Sequence, residues 1–137
     1  MITKSTINSL GKTSQPIKAD RGVSEFMGYL LSAVSSAHIT HTYQKDRALS
    51  THLALSDYYT GLDDIADNFI ECYQGLYGQV DFMVEGKRFD NPESCIKECY
   101  DYIEKTRGMF KESFLQNIID EIQELHAKTL YKLKFVC

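Results

Sequence analysis

Between Gly28 and Gly61 the chain has no glycine and no proline, yet its apolar residues keep helical time on both sides of the midpoint. Val23, Phe26, Leu30, Val34, Ala37 and His41 step by three and four, and so do His52, Leu55, Tyr59, Leu62, Ala66, Phe69 and Tyr73. One helix from 23 to 74 would be about 75 Å long, too long for a single domain of 137 residues. The chain must therefore turn inside a stretch that carries no strong breaker. Asp46 and Ser50 are the best N-caps there, which predicts helix A from about 22 to 45 and helix B from about 48 to 74, stopped by Gly75 and Gly78.

Residues 75–91, GLYGQVDFMVEGKRFDN, lose the helical period and include a short β-like run. Asn91-Pro92-Glu93 then supplies an N-cap, a proline at the first helical position and an acid in the first turn. Helix C is expected to about Arg107 with Ile96, Cys99, Tyr100 and Ile103 inward. Beyond Gly108, helix D carries Leu115, Ile118, Ile122, Leu125, Thr129 and Leu133 at three-four spacing. Four amphipathic helices predict an all-α four-helix bundle. Short A–B and C–D links make those pairs antiparallel. The B–C link could extend to roughly 55 Å, enough to run the bundle's length, as in ferritin-like folds with a long B–C crossover.

Residues 1–21 are rich in Ser, Thr and Lys, with Gly11 and Pro16 as breakers, and read as an N-terminal arm before a bundle over 22–137. Its charges are Lys4, Lys12, Lys18 and Arg21 against Asp20. So small an excess is weak as a phosphate-binding device, and the net charge of −4 does not ask for nucleic acid. No apolar run reaches membrane-spanning length and no secretory signal opens the chain, so a cytoplasmic protein is expected. Cys72, Cys95, Cys99 and Cys137 suit that compartment as small buried hydrophobes.

The chemistry-bearing residues are concentrated in AHITHTYQKDRALSTH, residues 37–52, which hold three of the four histidines. His38 and His41 are three apart at the end of helix A, and His52 opens helix B. Further along helix B, Asp67 and Glu71 are four apart and project from one face. They lie about 60° and 100° around the helix from His52, beside the core stripe. Imidazoles with carboxylates are a ligand set for iron, zinc or manganese; acids beside a core stripe are also an ordinary solvated face, and both readings stay open. His126, within helix D's stripe, reads as a hydrogen-bonded core histidine. The recurring tyrosines read as packing residues.

The order His, His, Asp-x-x-x-Glu across two helices resembles the mini-ferritins, the DNA-binding proteins from starved cells. The tail NIIDEIQELHAKTLYKLKFV resembles that family's last helix. The phrases AHITH, ALSDYY and IECYQGLYG are similar to small tailed-phage proteins labelled starvation-inducible or Dps-like. Where mini-ferritins often carry a further acid one turn after the second histidine, this chain has Ser56, with Asp57 one position off.

The resemblance implies a homo-oligomer in the cytoplasm of an infected bacterium. It implies a site for iron or another divalent metal between subunits, with His38, His41 and His52 from one copy and Asp67 and Glu71 from another. Ferroxidase chemistry is one activity the resemblance associates with such a site; metal binding without it is the other. A second reading is an accessory protein whose bundle binds a host factor or a small signalling molecule. A third is nucleic-acid contact through residues 1–21.

Overall fold

The computed structural model describes residues 21–43 and 49–136, and these form a four-helix bundle. Helix α1 spans Arg21–Thr42, α2 Leu49–Tyr77, α3 Pro92–Thr106 and α4 Ser113–Phe135; a 3-10 turn at Arg107–Met109 precedes α4. The A–B turn, including Asp46, lies outside the described residues, as do Cys137 and all of the expected arm except Arg21. Ser50 is not a cap: it sits in the first turn of α2.

The helices form a ring in the order α1, α2, α4, α3, with α1 and α3 making the sparsest seam. Each stripe is closed by its neighbours because an amphipathic helix is held chiefly by burying its apolar face. One end of the core is aromatic. The fully buried Phe26 ring lies 5.3 Å from Phe69 and 4.8 Å from Phe110, and Phe69 meets Phe110 edge-on at 5.0 Å. Edge-to-face contacts of this kind add to area burial. On α2 the fully buried tyrosine is Tyr58, while Tyr59 and His52 are only half-buried.

Gly75 does not stop α2. It lies within the helix, where no side chain or backbone stands against it, and the helix runs three residues past the expected end. Gly78, at φ +94°, ends it, donating its N–H to Gln74 O at 2.9 Å. That left-handed cap is a conformation glycine adopts without a Cβ penalty. At α3 the cap appears where expected: Asn91 accepts the Ser94 N–H at 3.0 Å and Pro92 is the first helical residue.

The link from Gly78 to Asn91 is extended, but among the described residues it pairs with no strand. Its partner is a helix. Ser24, Gly28, Ser32, Ser36 and Thr40 form an i, i+4 row of small residues along α1. The Ser24 hydroxyl donates to Asp81 O. Glu85 N–H donates to Ser32 Oγ at 2.9 Å, Lys87 N–H to Ser36 Oγ at 3.0 Å, and Phe89 N–H to Thr40 Oγ1 at 2.8 Å. A Cβ on Gly28 would collide with the Met83 carbonyl. Four helical residues advance about 6 Å and two extended residues about 6.6 Å, so the two repeats stay in step over five contacts. The β-like signal in the sequence was an extended chain whose alternate backbone groups are satisfied by helix hydroxyls in place of a ladder.

Among the described residues no helix is long and apolar enough to cross a membrane. Cys72, Cys95 and Cys99 are free thiols. Only Cys99 is buried; the other two are half-exposed, more open than small core hydrophobes.

Candidate functional site

The end of α1 and the start of α2 bring the three histidines of residues 37–52 together. The His41 and His52 rings stack at 3.8 Å, and His38 stacks on Tyr59 at 4.3 Å. His41 also meets Tyr59 edge-on at 5.4 Å. His41 Nδ1 lies 3.1 Å from the His52 carbonyl oxygen. A carbonyl only accepts, so Nδ1 carries a proton; in the neutral ring Nε2 is then the nitrogen with the lone pair, and it has no hydrogen-bond partner among the described residues. Metal-binding histidines are commonly held in this way, one ring nitrogen donating to a carbonyl and the other left to coordinate.

The carboxylates are elsewhere. Asp67 and Glu71 are exposed on α2, fifteen and nineteen residues past His52, which is about 22 and 28 Å along the helix. Neither makes an ion pair among the described residues. Within one chain, no three His, Cys, Asp or Glu side chains among the described residues are grouped to hold a metal. Asp57, the displaced acid of helix B, pairs instead with Lys132 at 3.3 Å.

A second polar system lies inside the bundle. Tyr58 OH and His126 Nε2 are 2.8 Å apart, and His126 Nδ1 is 2.8 Å from Gln123 Oε1. Gln123 Nε2 donates to Tyr100 O and to Glu104 Oε2, both at 2.9 Å. Those two acceptors identify the Gln123 nitrogen, so Oε1 faces His126, Nδ1 is protonated and Nε2 accepts from Tyr58. Glu104 and Asp120 then both hold Arg107, the latter at 2.6 Å. Burial drives the His126 pKa down to about 4, so the ring is neutral near pH 7. Burial also pushes the hydroxyls of Tyr29 and Tyr58 and the thiol of Cys99, which sit together, above their ordinary values. The sequence reading placed His126 in the core but not its partners. The Gln123–His126 spacing of three was a legible signal; Tyr58 was hidden by the choice of Tyr59 for the stripe.

Where α1 and α3 are sparsely packed, the link covers a cleft of about 450 Å³. Tyr29 and Cys99 line it, with Cys95, Lys87, Arg88 and Glu98. Its size is that of a small-molecule site.

A family model described as a family of unknown function (DUF5856) matches residues 41–133, from His41 through most of α4. No curated protein and no solved structure matches the chain.

Proposed function

The chain belongs to the family of unknown function DUF5856, and from its own geometry we propose a ferritin-like, homo-oligomeric bundle that binds a divalent transition metal such as iron between copies. The observation that carries this reading is the His41 ring, fixed by the His52 carbonyl with Nε2 open. His38, His41 and His52 form one half of a ligand set at one end of α2. Asp67 and Glu71 form the other half on its outer face, exposed and without ion-pair partners among the described residues. Neither half suffices alone, and about 22 Å of helix keeps them apart in one chain. A second copy can supply what the first lacks.

The helix order around the ring and the track of residues 81–89 along α1 support a ferritin-like arrangement. Bound iron would supply one-electron chemistry toward oxygen or peroxide; the chain's part is to hold it with neutral imidazoles and carboxylates. The resemblance to tailed-phage proteins supports reading this as work in the cytoplasm of an infected bacterium.

The test is metal content after purification without tags or chelators and exposure to Fe(II), Zn(II) or Mn(II). His41→Ala and Asp67→Ala with Glu71→Ala should each abolish binding. Mixing the two defective proteins, unfolded and refolded together, should restore a fraction of it, because mixed assemblies contain intact sites. Wild-type protein that takes up no metal would sink the reading, and so would mixing without recovery.

A second reading is favoured by the cleft: a small molecule bound between α1 and α3, as in a non-enzymatic accessory protein. Iodoacetamide labelling of Cys95 reports access to it. Protection by the small-molecule fraction of a host extract supports this reading, and unchanged labelling counts against it.

A further inference from the structure

The face made by the first half of α2 and the last half of α4 is apolar where it meets solvent. Leu49, Leu53, Tyr131, Phe135 and Val136 are each between 53% and 73% exposed. Tyr131 packs on Phe135 at 5.5 Å, and Leu53, Tyr131 and Val136 line one groove of about 450 Å³. These residues are not scattered: Leu49 and Leu53 are one turn apart on α2, and Tyr131 and Phe135 are one turn apart on α4. A contiguous exposed patch of this kind on a soluble domain marks an interaction surface.

We infer that a second copy of this chain covers this face in a two-fold contact. The charges at its edge select that occupant. Asp57 pairs with Lys132 at 3.3 Å and Glu124 with Lys128 at 3.7 Å; Asp57, Glu124 and Lys128 are well exposed and Lys132 is half-exposed. With Lys134, also exposed beside Phe135, the edge carries three bases and two acids, so it is mixed in sign and not a continuous basic rim. Nucleic acid or an anionic lipid surface would call for a basic rim, and an acidic partner would as well. An isologous contact instead needs a surface complementary to itself: an apolar centre with both signs around it, so that each copy's lysines can reach the other's acids. The exposed ion pairs hold little energy within one chain and can exchange partners at low cost. Lys128 and Lys132 can also lay their methylene stems over the apolar centre. Association through this face needs no metal. The apolar centre contains none of the proposed ligands, although His52 is next to Leu53 at its margin.

Sedimentation velocity on the full chain, in the presence of EDTA, tests it. The wild type should show a concentration-dependent monomer–dimer equilibrium. Leu53→Glu with Phe135→Glu should weaken it by about tenfold or more, with an unchanged helical circular dichroism spectrum, since both side chains already face water. Lys128→Glu should weaken it, and adding Glu124→Lys should restore it. A wild type that stays monomeric at the highest concentration overturns the proposal. So does a dimer indifferent to these substitutions, or a dimer that forms only when residues 1–20 are removed, which would make that segment the occupant. Because EDTA is present throughout, none of these outcomes depends on whether the metal site exists.

Discussion

Tyr58 and His126 are 68 positions apart and meet in the bundle core, the phenol donating across 2.8 Å to an imidazole nitrogen that has no other partner among the described residues. The bond joins α2 to α4, and its direction is set from the far side of the ring by Gln123. A buried acceptor is stabilising only while its donor is present.

Tyr58→Phe should therefore cost about 1–3 kcal/mol, the price of a buried nitrogen left unsatisfied. Urea unfolding reads it directly. Tyr58→Phe with His126→Leu should cost less than the two single changes added together, because the double variant leaves no orphaned group on this bond. Strict additivity would show that the two side chains do not act as a pair.

Stability should fall with acid in a defined window. His126 has a folded-state pKa lowered from 6.5 to about 4, so between those values the unfolded chain binds a proton that the folded chain does not. Stability is then highest above about pH 6.5, declines as pH falls toward 4, and loses nothing more from this group below that. The full swing is about 3 kcal/mol. Unfolding curves at pH 7.5, 5.5 and 4.5 measure it, and His126→Gln should flatten this part of the slope.

Two glycines should respond oppositely to alanine. Gly28→Ala drives a methyl group into the backbone carbonyl of Met83 and must displace the link from α1, at a cost of about 1–3 kcal/mol. Gly75→Ala meets nothing within 4 Å in an exposed helical turn and should stabilise by about 0.5–1 kcal/mol. Thermal melts of the two variants separate these outcomes by sign.

Asn91→Ala removes the side chain that accepts the Ser94 N–H at the start of α3 and should cost about 1 kcal/mol. Asn91→Asp should retain most of that stability. Hydrogen exchange at Ser94 localises the effect to the cap.

Helical periodicity determined a good deal by itself: four helices, their inward stripes, the Asn91-Pro92 start of α3 and the burial of His126. These follow from local rules, since a three-four repeat can bury only one face and a proline tolerates only the first turn. The end of α2 was misread because a glycine is a weak breaker and only its neighbours determine whether the helix continues; Gly78 stops it and Gly75 does not. Tertiary structure alone decided three further things. It chose Tyr58 over Tyr59 for the core, since adjacent positions differ by only about 100° and the choice depends on where α4 stands. It made a row of serines and glycine on α1 the partner of an extended link, a relation between segments some fifty residues apart. It also placed the histidines at one end of α2 and left Asp67 and Glu71 about 22 Å or more along it. Sequence order lists candidate ligand types, but a rigid helix fixes the distance between them, so the site proposed above would be complete only with a second surface.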